Sequence, residues 1–150
     1  MAPPTASPTL YRRILLVIDL TEESRTIGAR ARAIAAACGA ELSLLHVVEY
    51  VPVEPMGETL LPAIEVEEEL VKRATTRLAD LARELGLAAS VCRVEAGSTK
   101  AEIVRVAAET GSDLIVIGSR ERHGLSILVN LTEDTVLHAA HCDVLAVRIK

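Results

Sequence analysis

Apolar residues in this chain fall into two alternating patterns. Short continuous runs occur in "RRILLVID" (Ile14 to Ile18), "AELSLLHVV", "AASVCRV", "DLIVIG" and "DVLAVRI". Each reads as a strand, and the continuous run Ile14 to Ile18 as one buried on both faces. Between them the apolar residues recur at helical spacing: Ile27, Ala31, Ile34, Ala35 and Cys38, then Leu70, Ala74, Leu78, Leu81 and Leu85, then Ile103, Val106 and Ala107. A further helix is expected to follow the loop inside "VIGSRERHGLSILVNLTEDTV", Val116 to Val136.

Polar residues and glycines punctuate this pattern. Asp19 and Thr21 are candidate N-caps of the first helix, with Glu22 and Glu23 suited to its positive end, and Gly39 stops it. Gly86 and Gly111 stop the next two helices, and Thr99 with Glu102 has the spacing of a capping box. "EYVPVEPMGETLLP", from Glu49 to Pro62, contains three prolines and reads as a loop. Met1 to Thr9 has no periodicity and is expected to be a disordered tail.

Strand and helix therefore alternate, starting and ending on a strand. That alternation predicts an α/β fold, a parallel sheet with right-handed crossovers and helices on both faces. In such sheets a ligand sits beyond the carboxyl ends of the strands, where strand order reverses. The rule selects the loops after the first and fourth strands, which are expected to end at Asp19 and Gly118.

Composition narrows the function classes. The 150 residues include no Trp or Phe and only two Tyr, so the core must be Leu, Val, Ile and Ala. No apolar run approaches the ~20 residues of a membrane span, and "MAPPTASPTLYRR" lacks the continuous apolar core of a signal peptide. A cytoplasmic protein without a membrane partner is expected. The net charge is −5 and the basic residues are scattered, which argues against a nucleic-acid partner. Cys38, Cys92 and Cys142 are odd in number and form no Cys-x-x-Cys pair, so reduced, buried thiols are expected.

Side chains with catalytic potential give little. His46 lies within a strand and reads as a hydrogen-bonded core residue. His138 and His141 bracket a helix end, and no metal site is expected from them. Ser24, Ser98 and Ser126 lack a nucleophile context, so catalysis is not expected. Gly118, before "SRERHG", would allow a sharp turn and close approach of a phosphate.

Several segments together resemble the universal stress protein family. "YRRILLVIDLTEES" resembles its first strand, ending in Asp before a Ser- or Thr-bearing helix start. "AELSLLHVVE" is similar to its second strand, "SDLIVIGS" to its fourth, and "AAHCDVLAVRI" to its last helix end and fifth strand. The likeness runs in order from Tyr11 to Ile149. It implies a single doubly wound, Rossmann-like domain over 10–150, with a five-stranded parallel sheet in the order 3-2-1-4-5.

The resemblance also implies where a nucleotide would sit. One branch of the family binds ATP through Gly, two residues, Gly, nine residues, then Gly and Ser or Thr. Here these positions fall on Gly118, Glu121, Leu131 and Thr132, so two of the three glycines are replaced. Glu121 brings a carboxylate toward a polyphosphate, a repulsion of about 1 kcal/mol at ~4 Å in water and more in a drier pocket. Leu131 places a branched side chain where a glycine would let backbone meet phosphate. Against this, Arg120, Arg122 and His123 could pair with an anion, Gly124 keeps a flexible point, and Thr132 keeps the hydroxyl.

The candidate nucleotide or anion site is thus Asp19, Val47, Gly118, Ser119, Arg120, Gly124 and Thr132. The expected cofactor is none, with ATP or AMP and magnesium as the alternative. The last strand would lie at a sheet edge, where an aliphatic strand calls for a cover, and the resemblance implies pairing with a copy through Val144, Leu145, Val147 and Ile149. The resemblance is closest to the type A branch, a homodimeric, non-enzymatic stress-response protein with ATP binding lost or weak, acting through a further protein partner. The alternatives are an ATP-binding, slowly hydrolysing stress sensor, and a regulatory subunit of a transporter or enzyme.

Overall fold

The computed structural model describes residues 10–49, 61–120, 136 and 138–149. Its strands are β1 (Arg13–Val17), β2 (Glu41–Val48), β3 (Cys92–Ala96), β4 (Leu114–Arg120) and β5 (Asp143–Ile149). They form one parallel sheet in the order β3-β2-β1-β4-β5, as the resemblance implied. The helices are α1 (Ser24–Cys38), α2 (Leu61–Glu84) and α3 (Thr99–Thr110), and Val136, His138 and Ala139 are helical. None is long and apolar enough to cross a membrane, among the described residues.

Alternation of side chains along the central strands divides the core in two. Ile14, Leu16, Leu42, Leu44, Leu114 and Val116 point to the face covered by α1 and α2, where they meet Ile27, Ala31, Leu78, Leu81 and Leu85. Leu15, Val17, Leu45, Val47, Ile115 and Ile117 point to the other face and meet Ile103, Val106, Ala107 and Val136. Completely burying one such Leu, Ile or Val contributes roughly 1.5–3 kcal/mol. The sheet is thus packed on each face against a helix layer. Close approach of α1 and α2 depends on Gly28, where an added Cβ would lie 2.7 Å from Leu85 Cδ1.

Several sequence expectations need adjustment at element boundaries. "AASVCRV" contains a 3-10 turn at Ala89–Val91, and β3 begins only at Cys92. Helix α2 begins at Leu61, so Pro62 lies in its first turn, where a missing N–H costs nothing, rather than closing a loop. The Thr99–Glu102 capping box does not form. Ser98 occupies the cap position, the Thr99 hydroxyl donates to Glu49 at 3.1 Å, and Glu102 turns to Arg105. Gly39 and Gly111 do end α1 and α3 in the left-handed conformation. The tail Met1 to Thr9 lies outside the described residues.

Candidate site at the ends of the first and fourth strands

β1 and β4 pair from Ile14 with Leu114 to Leu16 with Val116. Beyond that point β1 stays with β2 through Val17 and Leu45, and β4 stays with β5 through Arg120 and Ile149. The two central strands part at the position where strand order reverses. This opens the crevice in which doubly wound sheets take ligands.

The β1 side of the crevice is heavily organised. Asp19 was expected as a helix cap, but α1 starts later, at Ser24, and Glu23 at its cap position makes no side-chain cap bond. Instead Asp19 Oδ1 accepts three hydrogen bonds. They come from the Thr21 N–H at 3.1 Å, the Thr21 hydroxyl at 2.7 Å and the Ser24 hydroxyl at 3.1 Å. The first closes an Asx turn, which short acidic side chains favour. Ser24 is buried, so its hydroxyl needs this partner. Asp19 itself is exposed.

Backbone on either side of Asp19 is held as well. The Nδ1–H of His46 donates to the Ile18 carbonyl at 2.6 Å, in keeping with the expected hydrogen-bonded role of that histidine. The Arg77 guanidinium, reaching across from α2, donates to the Leu20 carbonyl at 2.5 Å. Leu20 has φ 59°, the one non-glycine residue in the left-handed region among those described. Neither Leu20 nor Arg77 was legible as a site residue. A branched side chain is a poor marker for positive φ, and Arg77 lies far away in sequence.

The β4 side differs from expectation. Gly118 does not end the strand and makes no turn. It lies inside β4, opposite Val147, and the strand continues to Arg120 opposite Ile149. Its missing Cβ makes room for packing: an added Cβ would lie 2.5 Å from Ile27 Cδ1 and 3.0 Å from Ile149 Cδ1. Ser119 follows in the same strand and is half-buried. Val47 is buried in the core beneath α3 and pairs with Glu95 of β3. Glu121, Arg122, His123, Gly124, Leu131 and Thr132 lie outside the described residues.

Other reactive groups are occupied structurally. Cys38, Cys92 and Cys142 are free and half-buried, rather than completely buried. Burial pushes the Cys92 and Cys142 thiols up, so they stay protonated at neutral pH and are poor nucleophiles. No cluster of three metal-ligating side chains occurs among the described residues. In β5, Val147 is buried under α1 within the chain itself, while Val144 and Ile149 are half-buried. Leu145, 37% exposed, is the large apolar side chain that the strand shows to solvent.

Comparison with known proteins agrees with this architecture. Residues 10–148 match the model of the universal stress protein family. Universal stress protein A homolog 2 of Coxiella burnetii is 36% identical over 141 residues, covering 93% of this chain and 97% of that protein. The solved universal stress protein UspA from Lactobacillus plantarum superposes with a TM-score of 0.75 at 22% identity, over 92% of this chain and 98% of that one. A universal stress protein solved in complex with cAMP superposes with a TM-score of 0.59 at 22% identity, over 92% of this chain and 97% of that one. At that identity the two structures speak for the fold alone.

Proposed function

This chain belongs to the universal stress protein family, and we propose that it is a homodimeric, non-enzymatic stress-response protein of the type A kind, with nucleotide binding lost or weak. The observation that carries the reading is Gly118. It is the one glycine of the ATP pattern kept in this chain, and the space it leaves is filled by Ile27 and Ile149. Packing alone accounts for a glycine there. Its presence is therefore no sign that a phosphate is bound.

Glu121 and Leu131 replace the other two glycines, so the residues present fit a polyphosphate poorly. The non-enzymatic reading is supported by the commitments of the reactive groups. The Ser24 hydroxyl donates to a carboxylate, His46 Nδ1–H to a backbone carbonyl, and two thiols are held protonated. Homodimerisation is supported by β5, an edge strand whose apolar Leu145 is exposed. We place the protein in the cytoplasm, working through a further protein partner.

The ATP-binding sensor is the second reading, because the Asp19 loop is built tightly at the mouth of the crevice. The two readings separate by mass spectrometry of nucleotide released from freshly purified protein, followed by thermal-shift titration with ATP and magnesium. We expect no stoichiometric nucleotide and no saturable rise in Tm at micromolar ATP. Co-purified ATP, or such a rise, overturns the reading.

A further inference from the structure

We propose that Arg77 is a positioning residue for the Asp19 loop, a latch through which helix α2 sets the conformation of the crevice. The loop is held in a conformation its sequence does not favour. Leu20, with φ 59°, places its Cβ against its own backbone, a cost glycine would avoid. Such strain persists only where the surroundings over-determine it. Here the Leu20 side chain packs against the core and Asp19 bridges the turn, while its carbonyl oxygen is held from α2 by an exposed side chain, Arg77, whose Nη2 lies 2.5 Å away.

The other bonds of the loop go with that turn. In this turn Asp19 Oδ1 meets the Thr21 N–H, the Thr21 hydroxyl and the Ser24 hydroxyl across Leu20, so these bonds form together with its left-handed conformation. His46 secures the other flank, since its Nδ1–H holds the Ile18 carbonyl and Ile18 N–H donates to Leu45. That flank belongs to the sheet and is rigid. The Leu20 flank is tied to α2 across an open groove of about 990 Å³, lined by Leu20, Ser24, Arg25, Arg77 and Glu84 among others.

Two states of the loop follow. With Arg77 engaged, the Asp19 carboxylate is turned onto Thr21 and Ser24. With Arg77 withdrawn, Leu20 relaxes to negative φ, those bonds part, and the carboxylate turns outward at the mouth of the crevice. A shift of α2, or an occupant of the groove that draws the guanidinium away, moves the loop from the first state to the second. This rests on reading Asp19 as a site residue. It is independent of whether ATP binds and of the dimer.

The test reads the loop itself, by NMR of the full chain. In Arg77→Gln, the HN–Hα coupling and carbon shifts of Leu20 should report negative φ, and the Thr21 amide should exchange about tenfold faster. Arg25→Gln lines the same groove but loses a bond to Glu84 instead, and should leave Leu20 and Thr21 unchanged. Adding Leu20→Gly to Arg77→Gln removes the strain and should recover most of the Thr21 protection. The proposal is overturned if Arg77→Gln leaves both readouts unchanged, if Arg25→Gln changes them equally, or if Leu20→Gly fails to recover protection. Arg77 is exposed, so the variant is expected to fold, and Arg77→Lys, which keeps the aliphatic stem and charge but not the fork, provides a second variant with a smaller effect.

Discussion

At one border of the sheet, β3 carries Arg93 and Glu95 toward α3. Arg93 meets Glu95 at 2.6 Å and Glu109 at 2.7 Å. Arg105 meets Glu109 at 2.6 Å and Glu95 at 3.2 Å, and also binds Glu102. At the other border, β5 runs Val144-Leu145-Ala146-Val147 between Asp143 and Arg148, and shows Leu145 and Ala146 to solvent. Asp143 is engaged by the Tyr11 hydroxyl at 3.0 Å, which raises the Tyr11 pKa. Both strands are equally edge strands, yet one is guarded by a five-residue charge network and the other is apolar between Asp143 and Arg148. Charges on an edge discourage another chain from adding to it. The contrast favours β5 as the edge for the proposed pairing of two copies.

The apolar edge can be disturbed from behind. β5 rests on β4 where Gly118 faces Val147, and Ile27, 2% exposed, closes over both. Gly118→Val should therefore overpack this junction and cost roughly 1–3 kcal/mol, read as a lower urea midpoint with an unchanged slope. Full stability in that variant would mean Ile27 and Ile149 move aside freely, and the packing account of Gly118 would fall.

The charged edge should respond less, because its ion pairs are exposed and screened. Glu109→Gln is expected to lower the midpoint by less than Gly118→Val, and the loss should shrink in high salt. Arg93 and Arg105 hold the Glu109 carboxyl below its ordinary range by hydrogen bonding. A depressed carboxylate stabilises the folded chain above its unfolded pKa, and that stabilisation is lost as pH falls through the folded value. The difference between wild type and Glu109→Gln should thus be complete at pH 7 and vanish in acid. A gap that widens in acid would reverse the assigned sign.

Much of the fold was legible because the apolar runs and helical stripes were strong and separate. β5 was read to the residue, since Asp143 opens the aliphatic run Val144 to Val147 and Ile149 closes the strand after Arg148. β3 was read early, because Ala88 to Val91 is apolar enough for a strand yet turns first. The site was less legible. Asp19 was found, but as a cap rather than the acceptor of an Asx turn, which depends on where α1 starts. Gly118 was found, but its cause was not: the contact with Ile27 joins residues 91 positions apart (118 − 27), which no local pattern encodes. The Leu20–Arg77 bond was missed for the same reason. Val147 was assigned to the outer edge with Val144, Leu145 and Ile149, yet it turns into the chain's own core, so a charge there would unfold β5 rather than report on the edge.

Sedimentation velocity at micromolar concentration tests the contrast between the edges most directly, comparing wild type, Leu145→Lys on β5 and Arg93→Ala on β3. The account predicts a dimer for wild type and Arg93→Ala, and a folded monomer for Leu145→Lys. A monomeric wild type, or a Leu145→Lys variant that sediments as the same dimer, would contradict it.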